Sequence, residues 1–279
     1  MSTQFPTPQE CHHSYPFPIP CLPDDFHLTQ QKNQDCKEEI EPTVMKEKLD
    51  LDMLYYSPFL SAAISKELFI YLGKELPFYR VDYKTNRAGV ETEVLTPRFT
   101  TVFGVDESSF FTDDGRLLDR GPQLPVPQDR CRTCIPRPIQ QCLDAMRQYV
   151  ERRTGGRFNF VLISYHSVDE RFLGNNPIIA SLSLGPRRDF LMKPKFDMNN
   201  SLKLSLSSGD MLLIRSTTQA KWLHSIPKRS GPSNSAASWA GTGRINTTFR
   251  KAIVREGTEN YHWWPVFEWD DEAGKMIRA

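Results

Sequence analysis

Arg244 and Arg250 bracket the run Arg244-Ile245-Asn246-Thr247-Thr248-Phe249-Arg250, whose alternation is that of a strand. Side chains two apart share one face of an extended chain, so Arg244, Asn246, Thr248 and Arg250 point one way and Ile245, Thr247 and Phe249 the other. Two guanidiniums on one face of a core-like strand call for anions. A small dicarboxylate held at both ends satisfies them, because each guanidinium can fork onto one carboxylate. A solvated strand face is the commoner setting for arginine, yet it accounts less well for the alternation with Asn and Thr. Three histidines, His166, His224 and His262, lie beyond the first 50 residues. His166 follows an apolar segment ending at Ile163, and His224 sits in Trp222-Leu223-His224-Ser225-Ile226-Pro227. Two histidines from different strands plus a carboxylate make the facial triad of non-haem iron sites, which leaves three positions for cosubstrate and oxygen. By spacing alone, a histidine beside Trp and Pro is more often a hydrogen-bonded structural residue. Cys131-x-x-Cys134 with Cys142 nearby suggests zinc, but no second such pair completes four ligands, and incidental loop cysteines are the simpler reading.

Positioning such groups takes strands, and the C-terminal half supplies them. After Gly155-Gly156 the period becomes strand-like: Phe158 to Ile163, Pro177 to Leu184, Asp189 to Met192, Ser201 to Leu206, Asp210 to Arg215 and Arg244 to Val254 are short strands between Gly, Pro, Asn and Ser clusters. That is an antiparallel sandwich or barrel pattern. Ser230 to Gly243, rich in Gly, Ser, Pro and Ala, interrupts it as a flexible insertion. Two helices come earlier. One runs from Ala62 to Leu72, with Ile64, Leu68 and Tyr71 at helical spacing, Ser61 as N-cap and Gly73 as stop. The other runs from Pro138 to Arg152, with Ile139, Cys142, Leu143, Met146 and Val150 on one face. Asp106 to Pro136 between them reads as mostly loop, and no internal repeat is visible.

Composition narrows the function classes. Of 279 residues, 39% are hydrophobic and 25% charged, which excludes a chain disordered throughout or embedded in a membrane. No apolar run approaches the ~18 residues of a spanning helix. Thirty-five basic against 34 acidic side chains exclude a polycationic coat that binds nucleic acid by charge alone. The average hides a gradient: residues 1–50 carry nine acids against four lysines, a net of −5, which leaves +6 for the remainder of a chain of net charge +1. Those first 50 residues, with Pro6, Pro8, Pro16, Pro18, Pro20 and Pro23 and no sustained apolar period, are expected to be a disordered arm. The start Met1-Ser2-Thr3-Gln4-Phe5-Pro6 lacks the basic and apolar regions of a secretory signal, and the six cysteines are too sparse for a disulfide scaffold, so an intracellular protein with reduced thiols is expected.

Several segments resemble one family. Leu76-Pro77-Phe78-Tyr79-Arg80, Thr96-Pro97-Arg98-Phe99-Thr100, Phe158 to Ile163, His166-Ser167-Val168-Asp169-Glu170, Ser181-Leu182-Ser183-Leu184-Gly185, Arg188-Asp189-Phe190, His224-Ser225-Ile226-Pro227 and Arg244 to Arg250 are similar, in consistent order, to the AlkB-like iron(II)/2-oxoglutarate dioxygenases. The resemblance runs from about Leu51 to Val254. It implies a mainly β fold, a double-stranded β-helix or jelly roll with flanking helices, that flips an N-alkylated base out of nucleic acid and oxidises the alkyl carbon, with loss of formaldehyde. The cofactors implied are Fe(II) and, as cosubstrate, 2-oxoglutarate.

Carried over residue by residue, His166 and His224 match the two iron-binding histidines. Arg244 matches the arginine on the distal carboxylate of 2-oxoglutarate and Arg250 the one near its keto-acid end, with Asn246 between them on the same face. Asp169 and Glu170 match acidic residues beside the flipped base, where they would accept from the exocyclic amino groups of adenine or cytosine. Pro97, Arg98 and Phe103 match the segment that covers the base, and Arg80 and Arg188, with Lys84, Arg87 and Arg187, are candidate nucleic-acid contacts. Two departures stand out. The family motif is His-x-Asp, and Val168, which has no oxygen to give a metal, occupies the Asp position; Asp169, one residue along, faces the other side of an extended strand. An Asn-x-Tyr element and turn, about ten residues by comparison with the family, are missing between Ile163 and His166, where only Ser164 and Tyr165 stand.

The expected organisation is an arm over 1–50, a dioxygenase domain over 51–254 and a C-terminal tail over 255–279. The expected function is oxidative demethylation of N-alkylated bases, of the DNA-repair type. The alternative is a catalytically impaired or inactive relative that retains nucleic-acid binding, and a version damaged by a lost segment is a third reading. A bland jelly-roll binding module gives no reason to keep Arg98, His224, Arg244 and Arg250 together. The partner is nucleic acid, DNA ahead of RNA, for a monomer in the nucleus that does not enter a membrane.

Overall fold

The computed structural model describes residues 40–87, 90–126, 137–165, 178–197, 199–215, 217–227, 243–253, 266–270 and 275–278. Strands β1 (Thr43–Met45) and β2 (Met53–Tyr56) precede helix α1 (Ala62–Glu75), which leads into the long pair β3 (Phe78–Arg87) and β4 (Val90–Gly104). A small hairpin, β5 (Ser109–Phe111) and β6 (Leu117–Asp119), and helix α2 (Gln141–Thr154) follow. The remainder is β7 (Phe160–Tyr165), β8 (Ile179–Leu184), β9 (Arg188–Pro194), β10 (Leu202–Leu206), β11 (Met211–Ile214), the short helix α3 (Thr218–Lys221), β12 (Trp222–Ser225), β13 (Ile245–Arg250), β14 (Val266–Asp270) and β15 (Lys275–Arg278).

Two antiparallel sheets face each other. The larger has the order β1-β2-β11-β8-β13-β7-β4-β3-β14-β15 and the smaller β10-β9-β12. Between β8 and β13 the chain passes back and forth between them, with β8, β11 and β13 in the large sheet and β9, β10 and β12 in the small one. That winding is the double-stranded β-helix, with α1 and α2 packed outside.

The period of two decides which layer each side chain joins. Val161 and Ile163 of β7, Ala180, Leu182 and Leu184 of β8, Met211 and Leu213 of β11, and Ile245 and Phe249 of β13 pack beneath the helices. There they meet Leu68 and Leu72 of α1 and Cys142, Leu143, Met146 and Val150 of α2. The opposite face sends Met53, Ile179, Leu212 and Ile214 against Phe190, Met192, Leu206 and Trp222. Cys142, 1% exposed, is therefore a core side chain and not a metal ligand, while Cys131 and Cys134 lie outside the described residues.

Helix α1 starts as its sequence predicts, with the Ser61 hydroxyl accepting from the Ile64 N–H at 3.4 Å. It does not stop at Gly73. Pro77 disfavours helical geometry at the residue before it, and Leu76 turns extended (φ −98°, ψ 136°), so the helix runs on to Glu75. Helix α2 begins at Gln141 rather than Pro138 and ends on Gly155, whose left-handed φ of 68° lets its N–H reach the Glu151 carbonyl. Gly209, between β10 and β11, has a φ of +88°, and a Cβ there would lie 2.5 Å from the Leu60 carbonyl oxygen and the Ser65 hydroxyl. Its own carbonyl takes both the Phe59 and Leu60 N–H groups, which fixes the entry to α1.

Other expectations are corrected. The Asp106 to Pro136 connection holds the β5–β6 hairpin, and β3, β4 and β12 join the strands read from the sequence. The segment 255–279 is no mere tail, since β14 pairs with β3 and β15 with β14. Most of the Ser230 to Gly243 insertion lies outside the described residues. Among the described residues no helix is long and apolar enough to cross a membrane.

Order also begins before Leu51. Strand β1 pairs with β2, and the Trp222 indole N–H donates to the Leu49 carbonyl at 3.2 Å. A chain starting at Leu51 is expected to melt roughly 5 °C below one starting at Ile40, because ~2 kcal/mol of lost pairing moves the midpoint by about 2–4 °C per kcal/mol in a domain of this size. Calorimetry reads the difference, and equal midpoints would show that β1 contributes nothing.

Candidate functional site

Between the sheets lies a cleft open to solvent. Its floor is the inward face of three adjacent strands: Leu162 and Ser164 of β7, Asn246, Thr248 and Arg250 of β13, and Ile179 and Ser181 of β8. The register aligns them in rows, Ser164 and Ser183 flanking Asn246, Leu162 and Ser181 flanking Thr248, Phe160 and Ile179 flanking Arg250. The strand-face reading of Arg244 to Arg250 thus has a structural counterpart, since Ile245 and Phe249 lie under the helices while Asn246, Thr248 and Arg250 line the cleft. The small sheet roofs it with Phe190, His224 and Ser225.

The floor is polar and largely sealed. Ser164, Ser181, Thr248 and Arg250 are each buried, Arg250 at 6% exposure. The Ser181 hydroxyl donates to Asn246 Oδ1 at 3.0 Å, and Asn246 Nδ2 donates to Thr248 Oγ1 at 3.2 Å, which fixes the amide orientation and aligns the hydroxyls. His224 stacks on Phe190 with ring centroids 5.2 Å apart and planes 24° from parallel, so its imidazole is held flat against the roof. Among the described lining residues there is an arginine and no carboxylate, a setting that favours an anion.

Arg244 lies elsewhere on β13's approach. It is 5% exposed and its Nη2 donates to the Ser183 hydroxyl at 2.6 Å, but it is not part of the cleft lining. Burial, and secondarily the neighbouring Arg188 charge, push its guanidinium down to about 10, so it remains protonated at neutral pH. A carboxylate against it would offset that burial.

The other sequence-derived candidates are dispersed. His166, Val168, Asp169 and Glu170 lie outside the described residues. Arg80 lies in β3 opposite Phe99, with Pro97 and Arg98 in β4. Arg188 starts β9, half-buried, and Arg187 is exposed with its Nε on the Ser205 hydroxyl. Phe103 is corrected: it is 0% exposed, on the helix side of β4 beside Val161, and so cannot touch nucleic acid. No group of three His, Cys, Asp or Glu that could hold a metal occurs among the described residues, of which His224 alone belongs to the triad reading.

The sequence reading missed Ser164, Ser181, Gln219 and Phe190 as parts of the cleft. For Ser181 a signal existed: in Ser181-Leu182-Ser183-Leu184 the serines alternate with leucines inside a strand buried on both faces. Polar residues in that setting line a polar interior.

The pattern of the 2OG-Fe(II) oxygenase superfamily matches residues 52–250, the span from β2 through β13. The chain is 31% identical over 234 residues to "DNA oxidative demethylase ALKBH2" of Arabidopsis thaliana, covering 72% of this chain and 67% of that protein. It is 32% identical over 221 residues to the human protein of the same name, covering 71% and 73% respectively. Against "Alpha-ketoglutarate-dependent dioxygenase alkB homolog 3" of Bos taurus it is 32% identical over 136 residues, 42% of this chain and 44% of that one. With a matched span that contains the small sheet, the large sheet's strands from β2 to β13 and the whole cleft, the chain belongs to the 2OG-Fe(II) oxygenase superfamily, among its AlkB-like members.

Proposed function

We propose that the chain acts in oxidative demethylation of N-alkylated bases in nucleic acid, DNA in preference to RNA, with Fe(II) and 2-oxoglutarate. The observation that carries this is the convergence of His224 from β12 and Arg250 from β13 on one polar cleft. The donors present fit the groups. Arg250, with the Thr248 hydroxyl and Asn246 amide beside it, suits a carboxylate, and Arg244 is assigned the second carboxylate of the same ligand. His224 and His166 would hold the metal, and Val168 adds nothing to it. When bound, Fe(II) with 2-oxoglutarate and oxygen supplies the oxidation of the alkyl carbon. The protein's own part is to hold the dianion, keep the His224 ring flat against Phe190, and present Asp169 and Glu170 to the amino group of the base. The relatives' printed name, "DNA oxidative demethylase", supports DNA as the nucleic acid; a DNA substrate in turn makes the nucleus our proposed place of action, for a monomer.

Val168 favours a second reading, a relative that binds nucleic acid but turns over poorly. Both readings expect oligonucleotide binding at low salt that weakens as salt rises, with a shallow slope because a net charge of +6 beyond residue 50 meets few phosphates. Fluorescence anisotropy across a salt series reads this, and no binding at low salt would defeat both. The separating experiment is anaerobic absorption spectroscopy with Fe(II) and 2-oxoglutarate. A visible iron–keto-acid band in the parent chain supports an active site as it stands, a band only in Val168→Asp supports the impaired relative, and a band in neither removes the metal assignment.

A further inference from the structure

We infer that Gln219 is a specificity-determining residue of the cleft, its carboxamide turned onto the carboxylate that Arg250 meets. The inference rests on the proposed reading of the cleft as a 2-oxoglutarate site.

Arg250 lies in the terminal row of the large sheet, beside Ile179, which pairs in turn with Ile214, and Ile214 with Met53. Five residues after Ile214 the chain has turned through Arg215 and Thr217 into α3, and Gln219 lines the cleft from that same end. The turn is clamped. Thr218, 0% exposed, accepts the Asp52 N–H at 2.7 Å and donates to the Asp50 carbonyl at 3.1 Å. Lys195 Nζ donates to the Ala220 carbonyl at 2.8 Å. A four-residue helix tied down on both sides of Gln219 fixes where its side chain starts.

Gln219 Oε1 is buried in the cleft wall and has no hydrogen-bond partner among the described residues. An amide oxygen removed from water without a donor is costly, and such a group in a ligand cleft is there to meet a ligand. A carboxamide has a carbonyl at one end and two N–H donors at the other, and it turns over without changing its outline. A dicarboxylate brings lone pairs only, so the carboxamide turned over sets its NH2 end where Oε1 stands unpartnered, facing the ligand. Arg250 supplies the charge and Gln219 a second, differently angled donor, which together define a planar carboxylate better than a guanidinium alone.

The substitution that separates this from a packing role is Gln219→Glu. It keeps the outline but offers acceptors at both ends, so no rotation presents a donor, and its charge competes for Arg250. Gln219→Leu removes the donor without adding charge. Calorimetric titration of 2-oxoglutarate into the Mn(II)-loaded full chain is expected to show about tenfold weaker binding for Gln219→Leu and about 100-fold weaker for Gln219→Glu, the ordering of a lost donor and a lost donor with like charge. Thermal melts without ligand are expected to match the parent for both, and the ligand-induced rise in melting temperature to vanish in Gln219→Glu. Equal affinity of Gln219→Glu and parent, or weaker binding by Gln219→Leu than by Gln219→Glu, overturns the inference while leaving the cleft's reading intact. A parent that does not bind 2-oxoglutarate overturns both.

Discussion

Val168→Asp raises the affinity of the chain for Fe(II) by more than tenfold, which corresponds to more than about 1.4 kcal/mol. The resemblance places Val168 where a carboxylate completes two histidines, and its isopropyl group offers the metal nothing. Two neutral imidazoles leave the whole 2+ charge to be balanced by water or cosubstrate, whereas one ionised oxygen enters directly as a ligand. Metal competition with a fluorescent chelator reads the change. Equal affinities would mean that another group, such as Asp169, already fills the third position, and Asp169→Ala in the parent would then collapse the affinity.

Arg250→Ala abolishes detectable 2-oxoglutarate binding, a loss of about 100-fold or more, because truncating a buried charged partner of a carboxylate costs roughly 2–5 kcal/mol. Arg250 is 6% exposed and lies in the terminal row of the cleft floor, so no surface cation reaches the space it leaves. Arg87→Ala, at the end of β3, is expected to bind 2-oxoglutarate as the parent does. Calorimetry with Mn(II) compares the three proteins, and equal binding by Arg250→Ala and Arg87→Ala would remove β13 from the ligand's surroundings. Arg250→Gln keeps most of the volume and serves as the control against a purely structural loss.

The fold was most legible where one periodicity served one environment. Ile245 to Arg250 alternates because one face meets the helices and the other the cleft, and that alternation sufficed to place Asn246, Thr248 and Arg250 together. Strand β3 was not legible, since Arg80, Asp82, Lys84, Asn86 and Arg87 give it the composition of a polar loop, and its pairing with β4 comes from a partner up to 21 residues away. Strand β1 falls in a segment whose prolines and acids dominate any window, and only tertiary pairing with β2 reveals it. Gly73 misled because a glycine within a buried helix stripe, under Ile245, looks locally like a terminator. Phe103 misled because adjacency to Pro97 and Arg98 says nothing about which face of β4 it occupies, and it faces α2's core. Gln219 carried no periodic signal at all, since a four-residue helix is too short to have one.

We propose that this cleft belongs to a nucleic-acid demethylase that, by its resemblance to the family, lacks the third metal ligand and the Asn-x-Tyr segment. Formaldehyde release from an N-methylated single-stranded oligonucleotide, with Fe(II) and 2-oxoglutarate supplied, tests it across three proteins. The expected order is parent lowest, then Val168→Asp, then Val168→Asp with the missing hairpin rebuilt between Ile163 and His166, with succinate formed in equal amount. A parent that matches the rebuilt protein, or three proteins that all release none, would contradict it.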